Sequence, residues 1–169
     1  MARLKSFVES GAMKRLWLAT GLAVALAAPA WAGFWDGVGA YNRGDYQTAL
    51  REWTPVAEQG DGLAQNNLGI LYDEGHGVAQ DFARAAAWYR KAAEQGHDDA
   101  QNNLGRLYEN GLGVEQDLVR AHMWYNLAAT RGNGAGLDNM DGVAAKMAEA
   151  EIGEALSRAR EWLILHPKK

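Results

Sequence analysis

The chain has 169 residues, a formal net charge of −4, 48% apolar residues, 20 glycines, 3 prolines and no cysteine. That length suits one small domain or a short repeat array. The missing cysteines exclude a disulfide framework, a thiol nucleophile and a thiolate metal site, and the acidic balance argues against nucleic-acid binding, which needs a basic face.

The first element in chain order is a mostly apolar run, Leu16–Ala28. It is shorter than the roughly 20 residues that span a bilayer. Lys14 and Arg15 precede it, Pro29 breaks it, and Ala30-Trp31-Ala32 follows with small residues at both specifying positions. This order predicts a secretory signal over residues 1–32, cut between Ala32 and Gly33. An uncleaved anchor or a buried helix is the competing reading. Met13-Lys14-Arg15 opens a complete signal by itself, so Met13 is a second candidate start. Cleavage removes Arg3, Lys5, Lys14, Arg15 and Glu9 and leaves a net charge of −7. No later run is long enough to cross a membrane. The expected product is periplasmic or secreted, with no membrane insertion after cleavage.

Residues 33–60 read as a short helical hairpin. Ala40-Tyr41-Asn42-Arg43-Gly44-Asp45-Tyr46 makes its turn, and Ala49, Trp53 and Ala57 continue its second helix to Gly60. Pro55 is expected to bend or interrupt that helix. A repeat follows. Ala64-Gln65-Asn66-Asn67-Leu68-Gly69 returns unchanged as Ala100-Gln101-Asn102-Asn103-Leu104-Gly105, and 61–96 laid on 97–132 gives 20 identities in 36 positions. A fixed period of this size means stacked supersecondary units. In 61–96, Ala64, Leu68, Leu71 and Tyr72 form one helical stripe, which stops at Gly75-His76-Gly77. Asp81 is a candidate N-cap for a second helix carrying Ala85, Trp88, Tyr89, Ala92 and Ala93. The second repeat gives Leu104, Leu107 and Tyr108, then Gly111-Leu112-Gly113, Asp117, and Ala121, Trp124, Tyr125, Ala128 and Ala129, ending at Gly132. Gly69 and Gly105 fall mid-helix, where glycine costs about 1 kcal/mol against alanine, so those positions call for close backbone approach with Trp or Tyr opposite. Residues 133–169 suggest a capping helix pair, about 138–147 and 149–164. Ile152, Leu156, Ala159 and Leu163 form the expected inner stripe.

Chemical motifs are sparse. His76 and His97 fall in turns, His122 lies on a helix, His166 is near the tail, and none has metal-ligand spacing. No cofactor is expected. The one serine after residue 32, Ser157, lacks S-x-x-K and G-x-S-x-G contexts. Trp88, Tyr89, Trp124 and Tyr125 could form an aromatic ligand box, but they recur at core spacing.

Residues Ala64–Gly96 and Ala100–Gly132 resemble the Sel-one-like repeat, a relative of the tetratricopeptide repeat, through A-x-x-x-L-G-x-x-Y-x-x-G-x-G-V, then D, then A-x-x-W-Y-x-x-A-A and G. The flanks match more loosely. The resemblance implies an all-α, right-handed superhelical solenoid of antiparallel helix pairs that binds a protein or peptide and is not an enzyme. Exported bacterial members serve as envelope adaptors or regulators. First helices line the concave face in such arrays, which points Asn66, Ile70, Asp73, Asn102, Arg106 and Glu109 inward as candidate partner-binding residues. The two asparagines could read a peptide backbone or brace neighbouring helices. Arg106 could take a carboxylate, and Asp73 and Glu109 are either groove residues or solvated charges. The alternative function is an exported hydrolase like the β-lactam-linked repeat proteins. Those relatives carry paired cysteines, which this chain lacks. The partner and the oligomeric state are left open.

Overall fold

The computed structural model describes residues 30–167, with side chains from Gly33 onward. The predicted signal up to Pro29 lies outside the described residues, and the predicted cut at Ala32–Gly33 falls in the first turn of the first helix. Among the described residues there are eight helices and no strand: α1 Ala30–Asn42, α2 Tyr46–Glu58, α3 Gly62–Glu74, α4 Phe82–Glu94, α5 Asp98–Asn110, α6 Leu118–Ala129, α7 Gly134–Ala144 and α8 Glu149–Leu165. None is long and apolar enough to cross a membrane.

Helix starts follow the capping chemistry of the sequence. Asp81 Oδ1 accepts from Arg84 N at 2.9 Å, and Asp117 Oδ1 accepts from Arg120 N at 2.8 Å. Each satisfies an amide left without an intrahelical partner. Gly75 and Gly111 end α3 and α5 in the left-handed region, with φ of 71° and 66°. The second glycine of each Gly-x-Gly loop does something else. A Cβ on Gly77 would stand 2.8 Å from Tyr46 Cβ, and one on Gly113 would enter the Phe82–Ala83 peptide. Each loop therefore seats on the start of the preceding unit's second helix.

Consecutive helices pack in pairs, α1 on α2, α3 on α4 and α5 on α6, and each second helix packs on the next first helix. This is an all-α helical repeat solenoid. Its core has two adjoining parts. Ala40, Trp53, Val56, Leu68 and Leu71 fill the first; Tyr89, Leu104, Leu107, Tyr125, Leu127 and Val143 fill the second. The mid-helix glycines have the role their cost suggested. A Cβ on Gly69 would overlap the Tyr89 ring, and one on Gly105 would stand 2.7 Å from the Tyr125 ring. Tyrosine fills the space in both repeats. Tyr89, Tyr125 and Trp124 are buried and Trp88 is half-buried, so the four recurring aromatics are packing residues.

Three expectations need correction. Pro55 does not interrupt α2, which runs through it to Glu58. The helix after the second repeat starts at Gly134, earlier than about 138, because Asn133 Oδ1 caps it by accepting from Gly136 N at 2.8 Å. Its Gly136, Met140 and Val143 lie 36 positions beyond Ala100, Leu104 and Leu107, which makes α7 the first helix of a further, divergent unit. The inner stripe of α8 differs at one position: Ala159 is buried and Ile152 and Leu163 are half-buried as expected, but Leu156 is 40% exposed and Ala155 is buried instead. Small residues let α8 lie close on α6, its principal neighbour, with Trp162 set edge-on against Trp124 at 6.2 Å.

Candidate functional site

The first helices α3, α5 and α7 are held in register by side chains that cross from unit to unit. Asn103 Nδ2 donates to Asn66 Oδ1 at 3.3 Å, and Asn139 Nδ2 donates to Asn102 Oδ1 at 2.9 Å. The two links span the same offset and form an asparagine ladder, α7 to α5 to α3. Asn66 and Asn102 are thus braces between helices.

The acidic candidates form a second repeated device. Asp73 is 7% exposed. It accepts from Tyr89 Oη at 3.0 Å and forms an ion pair with Arg106 of the next repeat. Glu109 accepts from Tyr125 Oη at 2.8 Å and from Lys146 Nζ at 2.7 Å. In each repeat a carboxylate at the end of the first helix holds the tyrosine that fills the glycine notch. It also takes a cation from the unit that follows. Arg106 does bind a carboxylate, but that carboxylate belongs to its own chain.

The electrostatics agree. Burial, then the Asp73 carboxylate it bonds, pushes the Tyr89 phenol far above its ordinary range. Burial and the Glu109 hydrogen bond do the same to Tyr125. Burial alone would raise Glu109, but hydrogen bonds from Lys146 and Tyr125 bring it below the usual carboxylate value.

Two recesses open between the first helices. One, of about 210 Å³, lies between α1 and α3 and is lined by Val38, Tyr41, Trp53, Asn67 and Ile70. The other, of about 390 Å³, lies between α3 and α5 and is lined by Ile70, Asp73, Glu74, Tyr89, Asn103 and Arg106. Ile70 is a wall of both, so they adjoin. Of the six candidates, Ile70, Asp73 and Arg106 meet here; Asn66, Asn102 and Glu109 do not line either recess. Val38, Tyr41, Asn67, Glu74 and Asn103 were missed. The doubled Asn-Asn in each repeat was the available signal for Asn67 and Asn103. Among the described residues, no group of three or more His, Asp or Glu side chains could hold a metal ion.

A stack of helical hairpins with recesses between successive first helices is the architecture of repeat scaffolds. Residues 62–97 and 98–133 each match the Sel1 repeat family. A crystal structure of c5321, described as a protective antigen present in uropathogenic Escherichia coli strains and displaying an SLR fold, is 32% identical. It superposes with a TM-score of 0.77 over 81% of this chain and 30% of that one. A Sel1 repeat protein from Oxalobacter formigenes is 33% identical, with a TM-score of 0.64 over 76% of this chain and 55% of that one. The chain thus spans about a third and about half of the lengths of these two relatives. A search of the curated proteins gives no match. The chain carries two Sel1 repeats and belongs to the Sel1-like repeat family. Such repeats are in general protein-interaction scaffolds without catalytic activity of their own.

Proposed function

We propose that the chain is an exported adaptor of the bacterial cell envelope that holds a protein or peptide partner against the first-helix face, the concave side by family resemblance. The observation that carries this reading is the pair of adjoining recesses on that face, one apolar and one polar, joined at Ile70. Binding sites combine apolar walls with a few placed polar groups in this way. Export rests on the basic, apolar, A-x-A order of the N-terminus. A structural neighbour described as a protective antigen fits that order.

The test is affinity capture from envelope extracts with the wild type, Ile70→Lys and Ala87→Lys. Ile70 is half-buried, and a lysine there can lay its stem along the groove and place its charge in water. Ala87 is exposed on α4. Specific capture lost in Ile70→Lys and kept in Ala87→Lys, both folded by circular dichroism, supports the reading. Loss only in Ala87→Lys moves the site to the second helices. An intact mass starting at Gly33 from the periplasmic fraction checks the export half.

A further inference from the structure

The asparagine ladder has an open end. Asn103 and Asn139 each donate to the asparagine of the preceding first helix. Asn67 is the equivalent residue of the first repeat, 36 positions before Asn103. The first hairpin has a shorter turn, so Gly37 takes the place of Gly69, notched on Trp53 as Gly69 is on Tyr89. The residue that stands to Asn67 as Asn66 stands to Asn103 is therefore Phe34, which has no amide to offer. Asn67 makes no side-chain hydrogen bond among the described residues, and it lines the apolar recess. A primary amide there can give one hydrogen bond and take one, which is what a single peptide unit offers in return.

The recess around it, at about 210 Å³, is below the roughly 300–1,000 Å³ of small-molecule pockets. Its size and walls suit one apolar side chain. The next recess holds Asp73, Arg106 and Glu74. Asp73 and Arg106 neutralise each other. Glu74 is exposed, approached by Tyr41 Oη at 3.5 Å and by His76 Nδ1 at 2.9 Å, with no Lys or Arg paired to it. The polar recess therefore carries one carboxylate with no Lys or Arg partner.

The two recesses are separated only by the Ile70 side chain they share as a wall, and an extended strand advances about 3.3 Å per residue with alternate side chains on one face. Neighbouring recesses are thus two or three residues apart along an extended peptide. We infer that the groove selects an extended segment with an apolar side chain seated between α1 and α3, and a lysine or arginine two or three residues away facing Glu74. Asn67 holds the peptide unit beside the apolar residue. This rests on the proposed first-helix site and adds the chemistry of its partner.

The test is selection of a random peptide display library on the purified chain, followed by affinity measurement on the enriched peptides. The expected consensus is an apolar residue separated by one or two positions from Lys or Arg. Asn67→Ala should weaken the best peptide about tenfold. Glu74→Gln should weaken it roughly fivefold, the scale of an exposed ion pair, and should blunt its salt sensitivity. Ile70→Lys should abolish binding. Enriched peptides that lack the basic residue, or that ignore Asn67→Ala and Glu74→Gln, overturn the inference. If such peptides still need Ile70, the groove reading survives; if they bind Ile70→Lys normally, both fall. A selection that enriches nothing also overturns the inference, and in-cell capture then decides the groove reading separately.

Discussion

Gly69 is a glycine because Tyr89 occupies the place of its Cβ. Two effects oppose each other when alanine is put there. Helix propensity gains about 1 kcal/mol, while overpacking a filled core costs about 1–3 kcal/mol. The overlap falls on a buried ring held by Asp73, so the cost wins. Gly69→Ala should lower stability by about 1–2 kcal/mol in urea melts, and Gly105→Ala by less, since its nearest ring atom is 2.7 Å away. Gly153 in α8 meets nothing within 4 Å, so Gly153→Ala should raise stability by about 0.5–1 kcal/mol. The tyrosines in the notches also set the alkaline limit. Their folded pKa values are raised, so the folded chain keeps protons that the unfolded chain releases. Their contribution is complete below the ordinary tyrosine value of about 10 and declines as pH rises above it. Tyr89→Phe together with Tyr125→Phe should flatten the alkaline limb of a stability–pH profile. The acid limb has the opposite sign. Burial depresses the pKa of His122, and Glu109 is lowered too. Stability should fall as pH drops below about 6.5 for the histidine and below about 4.5 for the carboxylate.

At the scale of elements, what the sequence could show depended on whether a feature is local. Caps at Asp81 and Asp117, and stops at Gly75 and Gly111, are decided within a few residues and were legible. The α8 stripe was legible at Ile152, Ala159 and Leu163 but not at Leu156. The packing on α6 buries Ala155 in its place, where a helix can approach closely. Leu156→Glu should therefore change stability by no more than about 0.5 kcal/mol, whereas Ala155→Leu should cost about 1–3 kcal/mol. The asparagine ladder was hidden for a different reason. It joins the first asparagine of each repeat's pair to the asparagine 37 positions on, Asn103 or Asn139, a register fixed only when α3, α5 and α7 stack. A double-mutant cycle on Asn102 and Asn139 should give a coupling of about 0.5–1 kcal/mol, and one on Asn66 and Asn139 should give none. Such cycles separate a brace from two independent surface residues.

At the scale of the whole molecule, the period and its two glycine notches made the solenoid readable before any coordinates. The groove was only half readable. Ile70, Asp73 and Arg106 were named as candidates, but the sequence could not show that Asp73 and Arg106 satisfy each other. It also could not show that Asn67, at the open end of the ladder, is left with its amide facing the recess. The candidates split into residues that hold the units together and residues that face what the units hold. That division makes alanine variants of Asn66 or Arg106 poor tests of binding, since each removes an internal contact. The most direct measurement of partner binding on the first-helix face is in-cell photocrosslinking with a benzophenone amino acid at Asn67 or Glu74, compared with Ala87 on α4 and Ser157 on α8. Binding on that face should give one discrete crosslinked partner from Asn67 and Glu74 and none from Ala87 or Ser157. The same partner captured only from Ala87 or Ser157 would contradict it.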